Sequence, residues 1–309
     1  MRYILFFLTG ILLAACSDDT SSLPANRKMI RLSMSTRGIY DFATYIRDLQ
    51  IFAFKQDMKG EYVFYDKLAD LNEQEIRELE EGKSPGTTYT ESKLLDTELE
   101  IGKYRFYFVG NARAESGGIL QEGITRPSDV WLNYPETGLS LPYFLGQTET
   151  AVGEVIETVA VELHHVVSRL FIKIDGVPLE IDTIRMSVKN IDRRITLEGE
   201  YSEPGDAPAE VFIVKNEKPH QQVTALFDLY IFPSAGETSE IELVFHARNG
   251  EERTKLVPVE LLPDRYVNLF ATINSSYGAL LSFAFSCVYF FAFDWQNIVW
   301  PDFPLIPQK

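Results

Sequence analysis

The sequence predicts an all-β protein, in which two tandem β-sandwich domains follow a leader and a polar tether. Three observations predict this class. Short apolar runs alternate with turn signals along most of the chain, one segment has a persuasive helical pattern, and 45% of the 309 residues are hydrophobic, which is ample for two cores. We place the leader at residues 1–15, the tether at 16–27 and the domains at 28–150 and 151–309.

The leader combines a positive end with a short apolar segment. Arg2 supplies the charge, and residues 4–13 are apolar apart from Thr9 and Gly10. Because this segment is too short to cross a bilayer as a stable helix and polar residues follow at once, it is typical of a secretory signal peptide. An uncleaved membrane anchor is the alternative interpretation.

The leader ends at a cysteine that follows two small residues. The run Leu13, Ala14, Ala15 and Cys16 resembles the lipobox of bacterial lipoproteins. The resemblance implies that a signal peptidase cuts between Ala15 and Cys16 once the Cys16 thiol carries a diacylglycerol. Each buried methylene contributes about 0.8 kcal/mol, so two or three acyl chains such as palmitate hold a protein on a membrane effectively permanently.

The segment after Cys16 is polar and has no apolar periodicity, which predicts a flexible tether. It opens on Ser17, Asp18 and Asp19, which resemble the acidic export tags of surface-exposed lipoproteins in Bacteroides-type bacteria. An ordinary polar linker has the same composition. The expected location is therefore the outer membrane, with the protein exposed at the cell surface if the tag is functional.

The net charge of the chain is −16, and the sequence contains no basic cluster. This charge argues against nucleic acid as a partner, since binding its phosphates needs clustered Lys and Arg. With Cys16 assigned to lipid, Cys287 is the one remaining cysteine, so an internal disulfide cannot form. Cys287 lies in an apolar run and is expected to pack as a small hydrophobic residue.

Two strand pairs and one helix are predicted in the first half. One pair is a hairpin around the turn at 57–60, and the other is centred on Gly102. Their strands are predicted at residues 45–54 with 62–65, and at 93–100 with 104–109. Residues 71–81 space apolar side chains among acids as a short surface helix does, and Gly82 follows where such a helix ends.

The second half repeats the pattern of short strands. The dipeptide Asn249-Gly250 is the sharpest turn signal, because both residues tolerate the positive φ of a tight primed turn. It predicts antiparallel pairing of the strands on either side. The polar run at 147–150 separates this half from the first, which puts the domain boundary near residues 149–155. The predicted strands are 159–163, 170–174, 183–189, 195–201, 224–232, 241–247, 254–262 and 266–273.

The sequence lacks motifs for catalysis or metal binding. Its histidines are His164, His165, His220 and His246. The adjacent pair is predicted on a strand, where neighbouring side chains point to opposite faces and cannot easily chelate one ion. Carboxylates are abundant, as in the solvated faces of acidic proteins. We therefore predict no catalytic residue, no metal and no cofactor.

Several segments together resemble the FimB-type fimbrial anchor subunits of Bacteroides-type (type V) pili. They are the lipobox with its tether, the strand pair at 161–174, the run 184–201 with Asn190 and Gly199, and Asp294-Trp295. The resemblance spans residues 13–295. It implies that each half is a transthyretin-like sandwich, and that the protein ties a fimbria to the outer membrane and limits its length. Fimbrial shaft subunits would be its partners.

Fimbrial subunits assemble when an extended segment of one subunit completes an open sheet of another, with main-chain bonds supplying affinity. Two segments are candidates for this role. The strand Met29–Met34 precedes Arg37, and the resemblance implies that fimbrial relatives are cut after an arginine in this region. For an anchor, an uncut loop arginine is the alternative. The second candidate is the apolar run at 279–293, as an internal or a donated strand.

Two other functions remain open from the sequence. A glycan-binding lipoprotein on the outer membrane would need exposed aromatic platforms, since flat rings stack on sugar faces. The candidates are Trp131, Tyr134, Tyr143 and Trp300, each of which is also suited to packing in a sandwich core. A lipidated stalk or tip subunit of a fimbria would share almost every feature of an anchor.

Overall fold

The computed structural model describes residues 26–36, 42–83, 91–153, 158–214, 223–275 and 283–294, the last range as backbone. The predicted all-β class is confirmed. The strands of the first half are β1 (Arg27–Thr36), β2 (Asp48–Gln56), β3 (Tyr62–Asn72), β4 (Glu80–Lys83), β5 (Glu91–Glu100), β6 (Gly102–Gly110), β7 (Glu115–Ser116), β8 (Val130–Asn133), β9 (Phe144–Val152) and β10 (Thr158–His165).

The second half follows directly after β10. Its strands are β11 (Ser168–Val177), β12 (Ile181–Lys189), β13 (Ile191–Thr196), β14 (Tyr201–Gly205), β15 (Glu210–Ile213), β16 (Val223–Ile231), β17 (Ser239–Ala247), β18 (Glu252–Val259), β19 (Arg265–Ser275) and β20 (Phe283–Asp294). The helices of the described chain are α1 (Phe42–Tyr45), α2 (Glu73–Glu78) and one 3₁₀ turn (Pro127–Asp129). None of them is long and apolar enough to cross a membrane.

The first sandwich has two layers, with strand orders β10-β1-β5-β4 and β3-β2-β6-β9. The layers meet at one corner, where His164 and His165 of β10 pair with Leu145 and Phe144 of β9. Alternate side chains of both layers point inward and form one hydrophobic core, because successive residues on a strand face opposite sides. The predicted hairpin of residues 45–54 with 62–65 is confirmed as β2 and β3.

The predicted pairing of residues 93–100 with 104–109 is wrong. These segments form β5 and β6, but β5 pairs with β1 and β4, whereas β6 pairs with β2 and β9. Leu99 of β5 and Phe106 of β6 reach the same core from opposite layers. The short link at Ile101 therefore carries the chain from one layer to the other instead of turning it back.

The predicted helix at 71–81 is present but shorter. It is α2, whose first turn is held by a capping box between Asn72 and Glu75. Strand β3 extends to Asn72, and β4 begins at Glu80. The residues at both ends of the predicted helix therefore belong to strands.

The second sandwich also has two layers, with orders β16-β11-β19-β20 and β15-β12-β17-β18. The predicted pairing across Asn249-Gly250 is confirmed as the β17–β18 hairpin. Gly250 has a φ of +86°, and its N–H donates to the Ala247 carbonyl at 2.9 Å. Asn249 does not have a positive φ, so the hairpin has a longer turn than the predicted primed turn.

The predicted strand at 195–201 is interrupted by a turn. Strand β13 ends at Thr196, Gly199 has a φ of +85°, and β14 begins at Tyr201. The Gly199 N–H donates to the Thr196 carbonyl at 3.0 Å, which closes the turn. Only glycine adopts such a backbone conformation without a steric cost, so Gly199 ends the strand.

The two halves are in close contact around the predicted boundary between residues 150 and 151. Strand β9 runs to Val152, and β10 lies in the first sandwich. A small third sheet, β14-β13-β8-β7, takes strands from both halves. Phe52 and Tyr107, on the outer face of the first sandwich, belong to the core of the second half. The polar run at 147–150 lies along the half-exposed strand β9.

Candidate assembly site

Strand β1 is a central strand of the first sandwich. It runs parallel to β10, with Arg31 opposite Thr158, and antiparallel to β5, with Leu32 opposite Leu95. We call the space between β10 and β5 the β1 slot. The strand that lies nearest to the tether in sequence thus fills a slot with hydrogen-bonding edges on both sides.

The second part of β1 is buried on both faces. Ile30, Leu32 and Met34 point into the core of the first sandwich, and Ser33 and Ser35 are buried on the opposite face. Apolar burial contributes roughly 1.5–3 kcal/mol for each fully buried aliphatic side chain. The core-facing residues therefore attach β1 firmly to the slot.

An ion pair on the exposed face also fastens β1 to β5. The Arg31 guanidinium meets the Asp96 carboxylate in a bidentate arrangement, with Nε to Oδ1 at 2.7 Å and Nη2 to Oδ2 at 2.8 Å. Hydrogen bonding to Arg31 lowers the pKa of Asp96 below its usual value. Glu80 of β4 lies 3.8 Å from the same guanidinium, so the pair links three neighbouring strands. The sequence does not suggest this contact.

The predicted processing residues lie outside the described part of the chain. These are the cleavage site at Ala15 and Cys16, the lipidation site at Cys16, and Arg37. The structure brackets Arg37 between Thr36, the last residue of β1, and Phe42, the first residue of α1. All three therefore remain predictions.

The apolar run at 279–293 contributes to β20, which pairs antiparallel with β19 of the same chain. Strand β20 lies at the edge of its sheet, after the order β16-β11-β19. The described backbone thus corresponds to an internal strand, with residues 279–282 outside it.

The predicted aromatic platform does not form at Tyr134 and Tyr143. Both rings pack edge-on against Phe232, with centroid distances of 5.5 and 6.0 Å, and Tyr134 is buried. The half-buried ring of Trp131 lies under the guanidinium of Arg194 at 4.4 Å. Trp300 is outside the described residues. These three described rings therefore pack against the protein itself.

The histidine pair His164 and His165, at the end of β10, forms no metal cluster. His165 is buried, and its Nδ1 lies 3.1 Å from Oδ1 of Asp264, while its ring packs against Phe144. In the part of the chain that the structure describes, no three His, Cys, Asp or Glu side chains are grouped so that they could hold a metal ion.

Acidification is expected to destabilise the region where the two halves meet, through His165. Burial lowers the pKa of its imidazole below the usual 6.5, and Asp264 offsets this only in part. At acidic pH the unfolded chain then binds a proton that the folded chain does not. The stability that the neutral imidazole contributes is therefore complete above pH 6.5 and is lost as the pH falls toward the lowered pKa. Between about pH 7.5 and pH 5.5, the urea midpoint of unfolding should fall less in His165→Gln than in the native chain. Equal falls would contradict the assignment.

Asn111 is a hydrogen-bonding centre that the sequence does not reveal. Its Nδ2 donates to the carbonyls of Tyr45 at 2.6 Å and Pro142 at 2.9 Å, and its Oδ1 accepts from the Arg47 N–H at 2.8 Å. Its own N–H donates to the Asp48 carbonyl at 3.0 Å. A Gly-Asn dipeptide after a strand predicts a turn but not these partners.

Comparison with known proteins gives a consistent fold. A candidate adhesin from Bacteroides ovatus matches with a TM-score of 0.55 at 13% identity, over 86% of this chain and 95% of that one. This chain therefore shares its fold with that candidate adhesin. A fimbrial anchor protein from Porphyromonas gingivalis matches with a TM-score of 0.52 at 10% identity, over 85% of this chain and 97% of that one.

A third structure carries a different description. A candidate polysaccharide-binding protein from Bacteroides thetaiotaomicron matches with a TM-score of 0.55 at 14% identity, over 87% of this chain and 99% of that one. No family model and no curated protein matches the sequence. At these identities the likeness concerns the fold.

Proposed function

We propose that this chain is a non-enzymatic lipoprotein that anchors a fimbria to the outer membrane through lipid on Cys16 and limits the length of the fibre. The observation that carries the proposal is the occupied β1 slot. A slot that the chain fills with its own strand offers no edge to a donated strand of another subunit. Growth of the fibre would therefore stop at this subunit.

The position of β1 in the chain also supports an anchor over a stalk subunit. Strand β1 begins at Arg27, the last residue of the predicted tether, and Arg37 follows its last residue. A cut after Arg37 would leave the lipid and β1 on one fragment and the rest of the fold on another, held together by the noncovalent contacts of β1 alone. A permanent anchor therefore requires an intact chain at Arg37.

The fold likeness to a fimbrial anchor protein supports the same proposal. The glycan-binding alternative receives support from the likeness to a candidate polysaccharide-binding protein. The packing of Tyr134 and Tyr143 against Phe232 argues against the aromatic platform that this alternative needs. Partners of the anchor would be fimbrial shaft subunits, joined through β-strand complementation at an edge other than the β1 slot.

Removal of the lipidated thiol should release fimbriae from cells. Cells carrying Cys16→Ala are expected to show longer fibres and a larger fraction of fibres in the medium than cells with the native chain. Cys287→Ala, which changes the other cysteine, is the matched control and should leave both quantities unchanged. Fibre lengths from electron micrographs and the shed fraction by immunoblot provide the measurement. Unchanged fibres, with the protein still on the surface, would favour glycan binding.

A further inference from the structure

The end of the first sandwich where the tether arrives carries an unusual set of exposed side chains. The Ile101 N–H donates to the carbonyl of Asn26, the first described residue, at 2.8 Å. The β2–β3 turn at Asp57–Gly60 lies at the same end, because Lys55 bonds Glu100 at 2.6 Å. We call this end, with the Ile101 link and the β2–β3 turn, the tether pole.

Large aliphatic side chains are exposed at the tether pole. The relative exposure of Met58, at the tip of the β2–β3 turn, is 105%, and that of Ile101 is 46%. Adjacent strands lie about 4.8 Å apart, so the β2–β3 turn and the start of β6 are separated by roughly 10 Å. The two side chains therefore belong to one surface.

A loop from residues 117–126 adds to this surface. It lies along β3, since the Gly123 N–H donates to the Phe64 carbonyl at 2.8 Å and the Phe64 N–H donates to the Thr125 carbonyl at 2.7 Å. Arg126 bonds Glu61, beside the turn, at 2.7 Å. Ile124 lies between the two bonded residues of this loop and is 66% exposed.

Single exposed aliphatic residues are common on proteins, whereas exposed aliphatic residues that group together are typical of a contact surface. None of the three side chains is needed in a core, and Met58 contacts water over its whole surface. The charged neighbours are of both signs, with Lys59 and Arg126 near Asp57 and Glu61. The charges at this pole therefore favour neither an acidic nor a basic partner, and its distinguishing feature is apolar.

We infer that the tether pole rests on the bilayer that holds Cys16, with Met58, Ile101 and Ile124 in the interfacial layer of the lipid. This inference depends on the lipidation in the proposed function. Ten residue steps separate Cys16 from Asn26, a reach of about 35 Å when fully extended and roughly 18 Å as a coil. The lipid therefore keeps this end of the fold within reach of the membrane.

Contact at the tether pole would also orient the molecule. The β17–β18 turn at Ala247–Gly250 lies at the end of the second sandwich that is far from the first. Ile181 of β12 pairs with Ala247 at that end, and β12 runs from there to Lys189, where the two halves meet. The second sandwich would point away from the membrane, toward the growing fibre.

Site-specific fluorescence on the lipidated full-length chain tests the inference. In a Cys287→Ser background, Met58→Cys or Ile124→Cys is labelled with an environment-sensitive dye and reconstituted into phosphatidylcholine vesicles that contain a brominated lipid. We expect a blue shift and at least about twofold quenching at both positions. The matched control is Asn249→Cys, an exposed position on the far turn, which should show neither effect.

The outcomes separate this inference from the proposed function. Protein that does not float with the vesicles contradicts lipidation of Cys16, and with it both proposals. Floating protein with equal signals at positions 58 and 249 overturns contact at the tether pole but leaves anchoring intact. A signal at position 58 that arises only after shaft subunits are added also overturns it, because the pole would then bind protein.

Discussion

Leu32→Ala is expected to lower the free energy of unfolding by about 3–5 kcal/mol. The Leu32 side chain has no exposed surface and lies in the core of the first sandwich, opposite Leu95 of β5. Its truncation removes apolar contacts and leaves a cavity in the middle of a sheet, where neighbouring strands cannot close in. Equilibrium unfolding in guanidinium chloride measures the change.

Leu256→Ala is the matched control for this prediction. Leu256 lies on β18 and is 46% exposed, so the same truncation should change stability by less than about 0.5 kcal/mol. A cost at Leu32 as small as at Leu256 would mean that β1 contributes little to the first sandwich. The slot would then be open to a donated strand, and the explanation of fibre termination would lose its basis.

Local features of the fold could be predicted from the sequence. Strands such as β12 and β17 follow directly from runs of alternating apolar residues, and the β17–β18 hairpin follows from Asn249-Gly250. These features depend on residues close together in the chain. For the same reason the β2–β3 hairpin was predictable, because its two strands flank a short turn.

Pairing between distant segments could not be predicted in this way. Strand β1 lies parallel to β10, with Arg31 opposite Thr158, and nothing in either sequence specifies the other. The failed pairing of β5 with β6 has the same origin, because alternation shows which face is apolar but not which layer the strand joins. Parallel partners in particular lack a connecting turn that would reveal them.

The candidate site divides in a similar way. The prediction for Cys16 rests on the sequence alone, because its signal is a contiguous motif at the end of a predicted leader. The Arg31–Asp96 pair joins residues far apart in the chain, on two central strands, so only the fold reveals it. The burial of residues 51–54 on both faces of β2 was predictable, because a continuous apolar run indicates such burial.

Asn111→Ala is expected to lower the free energy of unfolding by about 3–4 kcal/mol. The substitution removes the donors to the Tyr45 and Pro142 carbonyls and leaves the Arg47 N–H without its acceptor. It also places alanine at a φ of +58°, where an L-residue without a polar side chain is disfavoured.

Asn111→Gly separates the two effects. Glycine tolerates the positive φ but loses the same hydrogen bonds, so its cost should be smaller than that of alanine by about 0.5–1 kcal/mol. Asn190→Gly is the control, since Asn190 has a φ of +61° but is exposed, and its Nδ2 donates only to the Thr238 carbonyl among the bonds described, at 2.7 Å. Its cost should stay below about 1 kcal/mol. If Asn111→Gly costs no more than Asn190→Gly, the buried bonds of Asn111 do not hold the junction between α1, β2 and β6.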